Sequence, residues 1–135
     1  MKGILSQVKS IALVGASPKP DRDSHIVMKK LLEAGYQVIP VNPREAGNSI
    51  LGQTCYGSLA EIDCPVDMVE IFRKSEAALG VTEEAIAIGA KVIWMQLEII
   101  NYQAAKIAES FGIKVVMDRC PKLELQKTYW TYRER

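Results

Sequence analysis

Residues 11–24 read Ile11-Ala12-Leu13-Val14-Gly15-Ala16-Ser17-Pro18-Lys19-Pro20-Asp21-Arg22-Asp23-Ser24. The first four residues form a short apolar run rich in strand formers, the pattern of a buried strand. Gly15-Ala16-Ser17 is a turn of small residues, and Pro18 and Pro20 exclude an immediate helix. Ser24 can cap a helix whose apolar positions Ile26, Val27, Leu31 and Leu32 follow. A strand, a tight small-residue loop and a helix N-terminus together make a phosphate site. Backbone amides point outward there, and the helix dipole favours negative charge. Gly15 and Ala16 let a ligand approach the backbone, while Ser17 and Arg22 can add side-chain donors. The stretch therefore points to a nucleotide pyrophosphate, although it lacks the three-glycine dinucleotide pattern.

At 135 residues the chain is expected to form one domain, spanning 1–135. The hydrophobic fraction, 48%, suits a globular core, and a net charge of +1 gives no field for nucleic acid or an anionic membrane. No apolar run of about 18 residues and no charged-then-apolar leader is visible, so a cytoplasmic location is expected. Cys55, Cys64 and Cys120 have no metal-like spacing, and an odd count suits reduced thiols.

Around the opening stretch the periodicity predicts further elements. Met1–Lys9 reads as a short helix or an ordered arm. Ile11–Gly15 is the first strand and Ser24–Ala34 the first helix, ended by Gly35. Gln37–Asn42 reads as the second strand, with Pro40 near its carboxyl end because proline cannot donate to a ladder. Residues 43–57 form a loop with at most a brief extended piece. Ser58–Ile62 reads as one helical turn, with Ser58 capping and Glu61 at the capping-box position. Val66–Phe72 is the third strand and Glu76–Ile88 a helix, in which Gly80 marks a break or a late start. Lys91–Gln96 is the fourth strand, Asn101–Phe111 a helix capped by Asn101, and Lys114–Asp118 the fifth strand. A polar tail with Tyr129, Trp130 and Tyr132 follows Pro121.

Strands alternating with helices of roughly 10–15 residues imply βαβ units and a parallel sheet covered on both faces. The expected fold is α/β: a Rossmann-like, doubly wound, five-stranded parallel sheet in a three-layer αβα sandwich. Right-handed crossovers put the carboxyl ends of all strands on one edge, where ligands of such sheets bind. Residues 15–24, 42–47, 72–75, 96–101 and 119–122 should line that rim.

The end of the second strand discriminates between ligands. An NAD site has an acid there for the ribose diol, whereas this chain has Asn42-Pro43-Arg44. Arg44 matches a phosphate on the ribose, either the 2′-phosphate of NADP or the 3′-phosphate of coenzyme A. Arg73 could face a phosphate or form an ion pair with Glu70 or Glu76. Trp94 reads as core, and Gln96 could bond an adenine edge or cap a loop. His25, the only histidine, suits a surface or capping role beside the phosphate loop. No nucleophile–base pair is readable. Cys120 lies on the expected rim, where a thiol could meet a ligand thiol or thioester; the plainer reading is a small semi-buried cysteine.

Several pieces in order now carry a resemblance: Gly15-Ala16-Ser17, Pro20 with Arg22 and Ser24, Gly35-Tyr36 before Val38, Pro40-Val41-Asn42-Pro43, Phe72-Arg73, Gly89-Ala90-Lys91, Trp94-Met95-Gln96 and Met117-Asp118-Arg119-Cys120-Pro121. Together they resemble the stand-alone CoA-binding proteins, a family similar to the N-terminal domain of the succinyl-CoA synthetase α subunit. The resemblance covers about Ile11 to Glu124. It implies a Rossmann-like fold binding coenzyme A across the strand ends. By analogy, Gly15, Ala16, Ser17 and Arg22, near the Ser24 helix start, would hold the pyrophosphate. Asn42, Pro43 and Arg44 would surround the phosphorylated ribose, and Phe72-Arg73 with Met95-Gln96 would border the adenine. Glu98 stands where the family commonly has glycine. The synthetases use a phosphorylated histidine from a further domain, which nothing here supplies. The expectation is a binding protein for CoA or an acyl-CoA, non-catalytic alone, a regulatory or accessory module in acyl-CoA metabolism. The alternatives are a minimal NADP-dependent reductase and the CoA-binding subunit of a multi-chain acyl-CoA ligase. Expected partners are CoA or acyl-CoA, with a ligase partner chain or a homodimer through the tail around Trp130 as further options.

Overall fold

Five short apolar runs pair in register to form one parallel sheet in the computed structural model, which describes residues 2–121. In chain order the elements are α1 (Lys2–Gln7), β1 (Ser10–Val14), α2 (Asp23–Glu33), β2 (Gln37–Val41), β3 (Ser49–Ile50), β4 (Gln53–Thr54), β5 (Met68–Ile71), α3 (Ala78–Ala87), β6 (Val92–Met95), α4 (Tyr102–Ser110) and β7 (Lys114–Val116). The sheet order is β2-β1-β5-β6-β7, and β3 and β4 form a separate small hairpin. The chain winds outward from β1 to β2, then returns to pair β5 on the other side of β1. That reversal opens a crevice between the carboxyl ends of β1 and β5, the usual ligand position in doubly wound sheets.

Both faces of the sheet are covered, which explains strands that are buried at nearly every position. One face packs Leu13, Met68 and Trp94 against Leu5 of α1 and Val27, Met28 and Leu31 of α2. The other packs Val14, Ile71 and Met95 against Ala78, Val81 and Ala85 of α3 and Ala104 and Ala108 of α4. Trp94 is fully buried, and its Nε1 donates to the Arg119 carbonyl oxygen at 2.8 Å.

Pro40 sits inside β2 without loss because β2 is an edge strand. Its carbonyl accepts from the Tyr56 amide on the outer side, so the missing N–H also faces outward, away from the β1 ladder. Asn101 caps α4 as expected, accepting from the Ala104 amide at 2.9 Å. Three expectations need correcting. Helix α2 starts at Asp23 with Arg22 at the cap position, so Ser24 lies inside the first turn, buried, and does not cap. Ser58 bonds the Glu61 carboxylate rather than a backbone amide, leaving a 3-10 turn over Leu59–Glu61 instead of a capping box. A further 3-10 turn, Ser75–Ala77, precedes α3, which runs through Gly80 unbroken. Tyr129, Trp130 and Tyr132, and the dimer contact expected of them, lie outside the described residues.

Candidate functional site

Phe72 is the hub of the sheet's carboxyl edge. It follows β5 directly, and its amide donates to the Val14 carbonyl at 2.8 Å, fixing it against the end of β1. Three cavities meet around it. The first, of about 660 Å³, is lined by Ile26 and Val27 of α2, Arg73, Gln96, Glu98 and Cys120, among others. The second, of about 390 Å³, is lined by Gly15, Val41, Asn42, Pro43, Arg44 and Arg73. The third, of about 240 Å³, is lined by Gly15, Ser17, Arg22, Asp23 and Ser24.

Gly15 has φ +95°, a left-handed value that glycine alone adopts freely. Its amide donates to the Val41 carbonyl at 2.9 Å, and the Ala16 amide turns to the same oxygen. Neither amide therefore faces outward, contrary to the simple loop picture. The donors that remain are the leading amides of α2, which have no intrahelical acceptor. The Ser17 hydroxyl accepts from the Lys19 amide, and the Ser17 carbonyl is 2.9 Å from His25 Nδ1. His25 thus braces the loop. Ala16 is buried, whereas Arg22 is exposed at the mouth of the smallest cavity.

Asn42 ties two parts of the rim together. Its Nδ2 donates to the Ala16 carbonyl at 2.8 Å, and its Oδ1 accepts from the Arg44 amide at 2.9 Å. The second bond caps the turn Pro43–Glu45 and directs Arg44 into the β1–β2 cavity. Asn42→Ala is expected to cost about 1–2 kcal/mol, the range for a lost cap. Urea unfolding checks this, and the variant should also bind anionic ligand more weakly, because loop and guanidinium lose their common tie.

Arg73 is exposed and borders both larger cavities; among the described residues it makes no ion pair with Glu70 or Glu76. Gln96 is nearly buried on the floor of the largest cavity. Met95, its neighbour, points to the opposite face, into the core with Val14 and Ile71, and lines none of the three cavities. Residues 96–101 are pinned by side chains the sequence reading had not singled out. Asp118 accepts from the Glu98 amide at 2.7 Å, and Ser75 Oγ accepts from the Ile100 amide at 3.1 Å. Glu98 itself has φ +70°, a left-handed backbone value that favours glycine.

Glu70, offered by the sequence as an ion-pair partner for Arg73, lines none of the three cavities. It lies on β5 two residues before Phe72, is fully buried, and among the described residues neither carboxyl oxygen has a hydrogen-bond partner. Burial pushes its carboxyl well above the ordinary range, and the nearby Cys120 sulfur adds to the rise. Because the folded value exceeds the unfolded one, this contribution to stability is full at low pH and falls as pH rises toward the folded value. Glu70→Gln does not titrate, so its stability advantage over the wild type should widen from pH 5 to pH 8. Paired urea titrations at the two pH values measure that gap.

The crevice, the start of α2 and the Arg44 guanidinium stand along one edge of the sheet, an arrangement whose chemistry suits an anionic ligand. A family model described as CoA binding domain matches residues 9–126. The chain belongs to this CoA-binding domain family. YneT of Bacillus subtilis (strain 168) is 44% identical over 123 residues, covering 91% of this chain and 90% of YneT. A hypothetical protein from Pyrococcus horikoshii OT3, of known structure, matches with TM-score 0.87 and 45% identity, over 93% of this chain and 87% of that one. The ADP-forming acetate–CoA ligase I subunit alpha of Pyrococcus furiosus is 37% identical over 89 residues. That match covers 63% of this chain but 19% of the ligase subunit. This CoA-binding domain is therefore related to acyl-CoA ligase subunits and has their Rossmann-like α/β fold. No helix among the described residues is long and apolar enough to cross a membrane.

Proposed function

We propose that the chain binds coenzyme A or an acyl-CoA as a non-catalytic module, serving or regulating acyl-CoA metabolism. The observation that carries this reading is Arg44 held by the Asn42 cap over a cavity that Gly15 and Phe72 also line. In this reading the phosphorylated ribose occupies that cavity, with Arg44 on the 3′-phosphate and Pro43 and Phe72 beside the adenine. The pyrophosphate lies at the α2 start near Ser17, Arg22 and Ser24, where free amides and the dipole favour anions. The thiol-bearing arm then enters the largest cavity past Arg73 and Gln96. The adenine moves away from Met95 relative to the family analogy, because that side chain faces the opposite core.

His25, the single histidine of the chain, stands at the start of α2 with its Nδ1 on the Ser17 carbonyl, beside the place assigned to the pyrophosphate. The likeness to a ligase alpha subunit favours a second reading, in which the module works with a separately encoded ligase chain. Calorimetry with CoA and NADP tests the ligand: CoA should bind at micromolar levels and NADP far more weakly. Tight NADP binding with NADPH turnover on carbonyl compounds would favour a reductase instead. Co-purification of a ligase chain would support the second reading.

A further inference from the structure

Among the described residues five large apolar side chains stand exposed, and two of them, Ile26 of α2 and Leu97 after β6, line the largest cavity. Exposed apolar residues scattered singly need no explanation, but these two share one concave surface with the half-buried Phe72 and Ile99. Leu97 is held there by the backbone. The Ile99 amide closes a turn on the Gln96 carbonyl at 2.9 Å, and the Asp118 carboxylate accepts from the Glu98 amide between them. The buried part of the lining is Val27, Gln96 and Cys120, of which only Gln96 carries a strong donor and acceptor. Its Oε1 has no partner among the described residues. The charges around the cavity carry both signs, Arg73 and Lys74 against Asp23, Glu76 and Glu98, and all of them are exposed. A single amide in a buried floor beneath an apolar rim is the lining of a site for a mostly apolar group.

We propose that the largest cavity receives the acyl end of an acyl-CoA, and that the acyl group it takes is short, apolar and uncharged. The proposal rests on the reading that the nucleotide lies along the carboxyl edge, and it narrows that reading to one class of thioester. Phe72 and Arg73 line both this cavity and the one assigned to the ribose, so one extended ligand can run from one into the other. The arm between nucleotide and sulfur carries two amide linkages, whose N–H groups are donors of the kind that Gln96 Oε1 lacks. Beyond the sulfur an acyl chain meets Ile26, Leu97 and Ile99, and its burial removes apolar surface of both partners from water. A free thiol leaves those side chains wet. The volume of about 660 Å³ has to hold the arm as well, which limits the chain to a few carbons. A carboxylate at the end of the chain would lose hydration, and the cations that could pair with it are exposed and outnumbered by acids.

The test is calorimetry of the full chain with CoA, acetyl-CoA, butyryl-CoA and succinyl-CoA. Butyryl-CoA should bind roughly 5- to 15-fold more tightly than acetyl-CoA, two methylenes at up to about fourfold each. Succinyl-CoA should bind more weakly than butyryl-CoA. Leu97→Ser and Ile26→Ser, shown folded by their thermal melts, should each reduce the butyryl-to-acetyl ratio at least about twofold. Because the readout is a ratio, any effect on the shared CoA part cancels. Equal affinities for CoA, acetyl-CoA and butyryl-CoA, or a ratio that neither substitution changes, overturn the acyl assignment and leave the CoA reading intact. Succinyl-CoA binding as tightly as butyryl-CoA overturns the uncharged, apolar class. Failure of CoA and all three thioesters to bind the wild type overturns the CoA reading itself.

Discussion

Gly15→Ala should lose roughly 2–5 kcal/mol of folding stability, the largest single loss expected from removing no contact at all. Two effects add. At φ +95° an L side chain is strained, about 1–2 kcal/mol for left-handed backbone. A Cβ at Gly15 would also run into the Phe72 carbonyl oxygen well inside contact distance, with the Phe72 carbonyl carbon at 3.0 Å and its Cβ at 3.1 Å. Phe72 cannot retreat easily, because its amide is bonded to Val14 across the β1–β5 ladder. Overpacking of this kind costs roughly 1–3 kcal/mol. At about 4 °C per kcal/mol for a domain of this size, the melting temperature should fall on the order of 10–20 °C. Gly35→Ala supplies the control. Its φ is +98°, but an added Cβ meets nothing within 4 Å. That variant should show the backbone term alone, and equal losses in the two would refute the close approach between β1 and Phe72.

Arg44→Ala should weaken CoA binding by roughly 1.5–3 kcal/mol, the range for a charge-assisted hydrogen bond. That is about 10- to 150-fold in affinity. Dephospho-CoA, which lacks the phosphate assigned to Arg44, should bind the wild type and the variant alike. The guanidinium is exposed, so the effect should shrink as salt is added. Arg44→Lys should fall between, keeping the charge but losing the two-pronged geometry. Folding stability should hardly change, because among the described residues the Arg44 side chain makes no bond that the fold depends on. This separates Arg44 from Asn42, whose loss should reduce stability and binding together.

The sheet was legible because buried parallel strands announce themselves as short apolar runs, and each helix ends at a glycine or begins at a polar residue. The place of Arg44 at the sheet's carboxyl edge was legible because it follows the second strand directly. Other features depend on contacts between distant segments. The Gly15 and Ala16 amides look free in the sequence, but the β1–β2 register delivers the Val41 carbonyl to both. Ser24 resembles a cap, yet the extended backbone at Arg22 starts the helix one residue earlier. Glu70 read as a partner for Arg73 because a charged residue in a strand normally finds one; the layer of α2 over that face leaves it dry instead. One signal was available and unused. Adjacent strand residues face opposite sides, so Met95 and Gln96 could not both border one cavity.

A crystal of the protein grown with coenzyme A tests the central claim most directly. The account predicts density along the carboxyl edge of the sheet, the 3′-phosphate within hydrogen-bond distance of Arg44 and the pyrophosphate at the start of α2. An empty edge at saturating ligand, or CoA bound with Arg44 turned away from it, would contradict the account.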